Sequence, residues 1–333
     1  MIQLLAGHPW FEISAVAASD NSAGKNYVKA TRWMLESAIP DAVGRLTVQS
    51  CAPGLDCDFV LSGLPSNIAE ETELQLASSG LPVISNASSH RMKPDVPLLI
   101  PEINSEHLSA LEIQKKRIGG RGFIVTNPNC STIGLVFPLA ALQKKFGVEA
   151  VHVVTMQALS GAGYPGVPSL DIIDNVLPAI DLGGEDNKIE TEPLKILGTW
   201  TNNRFVDASM RISAMTHRVN VRDGHLEAVS VKLQQKATKE NVEAAFREYT
   251  SPIDALNLPS APRPVILMEQ HPQRPQPRLD RDRGNGMAVV VGPVGTCNVL
   301  DFKFRVLSHN TIRGAAGAAI LNAELLYKKG MIG

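Results

Sequence analysis

Short apolar runs alternate with helical patterns over the first part of the chain. FEISAVAAS (11–19), CDFVLSGLP (57–65), LPVISNAS (81–88) and GFIVTNPN (122–129) are each strand-length and punctuated by Gly, Pro, Asn or Ser. Between them NIAEETELQLASSG (67–80) has the 3.6-residue rhythm of an amphipathic helix, with Gly80 placed as its C-terminal stop. Strand, helix and strand in series predict a Rossmann-like, doubly wound parallel α/β sheet, which binds ligands at the carboxyl ends of its strands. SGLPS and SNASS stand at two such ends.

From about residue 131 the pattern changes. STIGLVFPLAALQKKFG (131–147) predicts a helix and VHVVTMQALSGAG (151–163) a long strand. HLEAVSVKLQQ, RPVILMEQ, MAVVVGP and VLDFKFRVLSHN add further strands with few helices between them, predicting a mixed sheet in an α+β domain. EQHPQRPQPRLDRDRGNG (269–286) reads as an exposed loop, and TIRGAAGAAILNAELLYKK (311–329) as a closing helix with small residues on one side. The expected division is 1–129 together with 310–333 as a cofactor-binding domain, and 130–309 as a catalytic and oligomerisation domain.

Composition adds limits. The 333 residues are 44% hydrophobic, enough for two cores, and the net charge of -1 gives no reason to expect nucleic acid or a membrane surface as partner. No apolar run reaches bilayer length, the N-terminus lacks the pattern of a leader peptide, and four cysteines suit a reducing compartment, so a cytoplasmic protein is expected.

The strongest chemical signal is TNPNCSTIG. Cys130 stands where a helix starts, and the macrodipole and free amides there are expected to stabilise a thiolate, with Asn129 as a further donor to an oxyanion. Cys51, Cys57 and Cys297 have no such setting, and Cys51 with Cys57 is not a metal-binding spacing. In THRVNVRDGHLEAVSVKL, His225 follows a Gly turn into a strand, and Arg218 seven positions earlier suits a bidentate clamp on a carboxylate.

NPNCST, SGAGYPGVPSLDIIDNV, SHNTIRGAAG and the Arg–His spacing occur in an order that resembles the aspartate-semialdehyde dehydrogenase family, in its archaeal and fungal branch. The resemblance implies Cys130 as nucleophile and His225 as general acid/base. It implies that Arg218 holds the substrate carboxylate and Glu192 its ammonium, while Arg91 binds phosphate with Lys195 or Asn129 assisting. Ser19, Ser22, Ser62, Gly63, Leu64, Asn86, Gly161, Gly163 and Asn310 would contact the cofactor. The implied reaction is NADP-dependent conversion of L-aspartyl 4-phosphate to L-aspartate 4-semialdehyde through a thioester, a step toward lysine, threonine, methionine and isoleucine, in a dimer or tetramer without a metal. Related acyl reductases of malonyl-CoA or N-acetylglutamyl phosphate share the cysteine and the nicotinamide; Glu192 with Arg218 favours the aspartyl substrate.

The resemblance also bears on MIQLLAGHP, which reads as the second half of the helix that follows a Gly-rich phosphate-binding turn in the family. The expectation for the chain as written is an intact catalytic set without the first strand and cofactor cradle. That fits either an internal Met read as a start or a non-catalytic subunit of the oligomer. In AASDNSAG (17–24), Asp20 near the end of a strand suits a ribose hydroxyl and so NAD, whereas Ser22 suits the 2′-phosphate of NADP, the cofactor expected.

Overall fold

A computed structural model describes residues 1–333. Its parallel strands form two groups that share no ladder: β1 (Ala17–Ala18) with β2 (Gln49–Ser50), and β3 (Val60–Ser62), β4 (Pro82–Ser85) and β5 (Phe123–Thr126) in that order. The long apolar stretch FEISAVAAS predicts a full strand, but only its Ala17–Ala18 pair is in a ladder; residues 11–16 are irregular and partly exposed. Helices α1 (Ser66–Ser78) and α2 (Leu111–Ile118) join the second group, and Gly80 and Gly119 follow them with positive φ, where an L side chain would be strained.

The other strands build one mixed sheet. These are β6 (Val148–Gln157), β7 (Leu177–Pro178), β8 (Thr199–Thr201) and β9 (Arg204–Val206) as a separate hairpin, β10 (Arg211–Arg218), β11 (His225–Leu233), β12 (Ile266–Met268), β13 (Val289–Val291), β14 (Gly295–Thr296) and β15 (Phe302–Ser308). Its order is β12-β13-β15-β11-β6-β10-β7, with β14 on β15. Strand β10 lies parallel to β6 and was not legible in the sequence, because RISAMTHR alternates small and hydroxyl residues instead of large apolar ones.

Register explains how this sheet carries a site at one end and a core at the other. Ala214, Val153, Val229 and Phe304 are neighbours across four strands, all buried against α3 (Thr132–Phe146), α4 (Gly184–Ile196) and α5 (Lys239–Arg247). Each such fully buried side chain contributes about 1.5–3 kcal/mol. The next row toward the site is Thr216, Thr155, Glu227 and Val306, and beyond it Arg218 pairs Gln157 and His225 pairs Ser308. The inner face thus passes from aliphatic to ionisable within two rows. Helix α3 enters close to this end because Gly134 has no side chain: a Cβ there would lie 2.6 Å from Ser308 Oγ.

The closing helix is real but starts differently from the pattern. Residues Ile312–Ala316 form a π-helical turn before α6 (Gly317–Lys328). Ala319, Leu321, Leu325 and Leu326 of α6 pack with Ile84, Leu99, Phe123 and Val125 of the parallel sheet. The segment 269–286 is only partly the open loop its composition predicts: it contains a helical turn, Pro277–Asp280, and Asp280 is buried under the Arg274 guanidinium.

Candidate active site

Cys130 lies in the tight connection between β5 and α3, with Ser131 as the helix cap. Asn129 Oδ1 accepts from the amides of Ser131 at 2.9 Å and Thr132 at 3.2 Å. Its Nδ2 donates to Glu185 Oε1 at 2.7 Å. Asn129 therefore caps the helix and orients Glu185, taking the Ser131 and Thr132 amides and leaving the sulfur only the N–H of Cys130 itself. The thiol is correspondingly held protonated: burial, and secondarily the Glu185 carboxylate, push its pKa up to about 12 against the opposing pull of Arg91 and Arg218. This corrects the expectation that the helix start alone stabilises the thiolate.

His225, the first residue of β11, faces the sulfur, with Nε2 3.1 Å from Cys130 Sγ. Ala158 fixes the surroundings with both halves of its backbone. Its N–H donates to His225 Nδ1 at 3.0 Å, and its carbonyl accepts from Arg218 Nη1 at 2.8 Å. Burial, then Arg218 and His309, pull the His225 pKa down to about 3. Gly161 closes against both groups; a Cβ there would lie 2.8 Å from Arg218 Nη1 and 3.1 Å from His225 Cε1.

Helix α4 presents Glu185, Lys188, Glu192 and Lys195 at three- and four-residue spacings, which puts them on one side. Glu192 is buried, accepts from Arg91 Nη1 at 2.8 Å and from the Asn129 amide at 2.6 Å. Both oxygens thus hold protein groups, so in the ligand-free protein Glu192 braces Arg91 and the cysteine loop. Lys195 is likewise engaged: its Nζ donates to the carbonyls of Arg91, Lys93 and Val96 at 2.7, 2.8 and 2.9 Å, which uses all three protons to anchor the segment carrying Arg91. Burial pulls its pKa down to about 8, with Asp207, Asp95 and Glu192 opposing. Glu185 and the more exposed Lys188, 3.2 Å apart, are the pair of this face nearer to the thiol's field. Sequence reasoning missed both, although their helical spacing from Glu192 was a usable signal. It also missed Ala158, which acts only through its backbone and leaves no signal.

The expected cofactor residues fall into three places. Ser19 and Ser22 lie in the turn after β1, Ser22 N–H donating to Ser19 O at 2.9 Å. Ser62, Gly63, Leu64 and Asn86 lie at the carboxyl ends of β3 and β4: Asn86 Nδ2 donates to Ser62 O at 3.1 Å, and Asn86 accepts from Asn127 Nδ2 at 2.6 Å. Ser62 Oγ and Ser85 Oγ both donate to the buried Glu73 carboxylate, at 2.6 and 2.7 Å. Arg91 Nη2 donates to Asn86 O at 2.7 Å, which links this group to Arg91 and Glu192. Gly161, Gly163 and Asn310 border the catalytic pair; Asn310 bridges Ser160 Oγ and the Gly224 amide, each at 2.8 Å, so both ends of its amide hold loops together. Neutral amides and hydroxyls beside Gly63, where Met1 Cε lies 3.5 Å from the place a Cβ would take, suit a nicotinamide dinucleotide at these strand ends. No group of three or more His, Cys, Asp or Glu is placed to hold a metal ion.

Comparison with known proteins agrees with this arrangement. Residues 1–111 match a family model described as the NAD binding domain of semialdehyde dehydrogenase, and residues 139–313 its dimerisation domain. The chain is 50% identical to the aspartate-semialdehyde dehydrogenase of Archaeoglobus fulgidus over 99% of its own length and 95% of that protein. It is 47% identical to that of Cryptococcus neoformans, covering 99% and 94%. A crystal structure of the Candida albicans enzyme with NADP superposes with a TM-score of 0.91 at 43% identity, covering 99% of this chain and 95% of that one.

Proposed function

The chain belongs to the aspartate-semialdehyde dehydrogenase family, and from that premise we propose that it converts L-aspartyl 4-phosphate to L-aspartate 4-semialdehyde through a thioester on Cys130. The observation that carries this reading is the contact of Cys130 Sγ with His225 Nε2 at 3.1 Å, flanked by two buried arginines that both act on the thiol.

Arg218, held by the Ala158 carbonyl, takes the substrate α-carboxylate. Arg91 takes the phosphate, with the partly exposed Lys188, which is paired with Glu185 and Asp181, as the second cation on that side, while Lys195 and Glu192 position Arg91. Glu185 and Glu192 are both buried with both oxygens on protein groups, so the ammonium role first given to Glu192 is assigned to Glu185 on its field alone, which reaches both Cys130 and Arg218. NADP, when bound, supplies the hydride that reduces the acyl carbon; Ser19, Ser22, Ser62, Gly63, Leu64 and Asn86 would hold it, with Gly161 and Gly163 beside the reacting centre. We assign 1–129 with 310–333 to cofactor binding and 130–309 to catalysis and self-association, and place the protein in the cytosol. No helix is long and apolar enough to cross a membrane.

The test is phosphate-dependent oxidation of L-aspartate 4-semialdehyde, followed by NADPH appearance. The wild type is expected to turn over and Cys130→Ala to be inactive. Robust activity in the variant would refute the thioester, and reduction of malonyl-CoA in preference to the aspartyl substrate would move the chain to the related acyl reductases.

A further inference from the structure

Strands β3 and β4 both end in serine, in VLSGL and VISNA, and the parallel register sets Ser62 directly beside Ser85. Each hydroxyl does the same two things. It donates to Glu73 Oε1, Ser62 at 2.6 Å and Ser85 at 2.7 Å, and it accepts from the amide two residues on, Leu64 at 3.4 Å and Ala87 at 3.0 Å. A serine of this kind closes its own turn, and the direction of its hydrogen decides which side of the oxygen the amide meets. Glu73 sits on α1, the crossover helix that joins the two strands, and is buried with both serines.

We propose that Glu73 is a positioning residue for the cofactor: through Ser62 and Ser85 it sets the turns after β3 and β4 as one edge, and the Ser62 hydroxyl is a strut and not a ligand. This rests on the cofactor reading above and narrows the part given there to Ser62, leaving the contacts to main-chain groups of the turns and to Asn86. A second link joins the same turns, since the Asn86 amide and its Nδ2 both donate to Ser62 O at 3.1 Å. The other Glu73 oxygen has no hydrogen-bond partner and lies 3.7 Å from His90 Nε2. Both turns therefore depend on Oε1 alone.

Packing alone does not call for this arrangement. A buried carboxyl carries a desolvation cost that an apolar side chain between a sheet and its helix would not. Two residues back on the same face the ladder holds such apolar groups, Val60 beside Val83. The change from valine to serine comes at the last rung, where the backbone leaves the sheet and the Leu64 and Ala87 amides have no neighbouring strand to bond. There the hydroxyls take the two amides, and Glu73 fixes the hydroxyls. A dinucleotide seated on these turns gains from finding them already ordered, because turns that must be ordered on binding lose affinity.

The test is calorimetric titration of the full chain with NADP. Ser85 is fully buried and closed off from any ligand, yet Ser85→Ala should weaken binding about three- to tenfold, the worth of roughly one hydrogen bond. Ser62→Ala should match it within about twofold, and the double variant should lose less than the product of the two, because both act through one oxygen. Glu73→Gln keeps an accepting oxygen for the hydroxyls and should stay within about threefold of wild type, while Glu73→Leu should lose about tenfold or more. Unchanged binding in Ser85→Ala would overturn the proposal; joined to a large loss in Ser62→Ala it would make Ser62 a direct ligand. Equal losses in Glu73→Gln and Glu73→Leu would overturn it too. Should Glu73→Leu fail to fold, the serine variants decide alone. A wild type that does not bind NADP would refute the cofactor reading itself, and the proposal with it.

Discussion

Arg91 and Glu192 meet at 2.8 Å in the floor of the site, although 101 positions separate them in the chain. Both are buried, and the second Glu192 oxygen holds the Asn129 amide at 2.6 Å. One carboxylate thus ties Arg91, proposed to take the phosphate, to the residue before Cys130. Glu192→Gln should leave Arg91 buried without a counter-charge and cost about 3 kcal/mol of stability. Glu185→Gln, whose side chain still accepts from Asn129 while the partly exposed Lys188 loses its partner, should lower the melting temperature less and raise KM for the amino-acid substrate. Thermal melts and steady-state kinetics of the two variants check this; the opposite pattern would return the ammonium to Glu192.

Gly161 offers a second test because its role is spatial. Its φ is not in the left-handed region and its position is exposed, so an alanine is compatible with the backbone and should fold. The added methyl nevertheless meets the Arg218 guanidinium at 2.8 Å and the His225 ring at 3.1 Å. Gly161→Ala is expected to lower kcat/KM at least about tenfold, roughly 1.4 kcal/mol of transition-state binding, with little change in melting temperature. Unchanged kinetics would mean that the loop yields without moving either catalytic group.

The thiol makes a prediction in pH. Burial and Glu185 raise the Cys130 pKa to about 12, so without substrate the protonated form dominates at every pH below that value. The thiolate fraction, and with it the rate of alkylation by iodoacetamide, should rise about tenfold per pH unit through the neutral range. An imidazolium–thiolate pair would instead give a rate that is already level at neutral pH. Alkylation of wild type against Cys130→Ala, with the other three cysteines as background, separates the two.

How far the sequence carried these conclusions differs from residue to residue. Cys130, Arg218 and His225 could be singled out because motif order and helix punctuation mark them, and β6 and β11 beside them follow apolar alternation although β10, which carries Arg218, does not. Arg91, Glu192 and Lys195 could be grouped from the motifs, but only the folded contacts show that Glu192 and Lys195 brace the segment of Arg91. Ala158 was invisible, because it works through a peptide group that any residue but proline carries. Ala17–Ala18 shows the reverse error: an apolar run long enough for a strand makes only a two-residue ladder, because a strand needs a partner as well as a pattern.

The outer face of the mixed sheet bears on assembly. Opposite the buried rows, Met215 lies beside Val154, which lies beside Ala228, and Met215 is 53% exposed in the middle of a sheet. Leu170, Ile173 and Leu182 of the segment before α4 are also more than half exposed, at 88%, 58% and 101%. Scattered exposed apolar residues mean little, but a sheet face that sets methionine and valine side by side with no covering layer marks an interface. The face lies within the residues that match a dimerisation domain. We expect two copies to pack through it, and Met215→Arg, which places like charges against each other about a two-fold axis, to shift the protein to monomers. Sedimentation equilibrium checks this. The variant should have half the mass of the wild type while its circular dichroism is unchanged, and a wild type that is monomeric at the same concentration would remove the interface from this face.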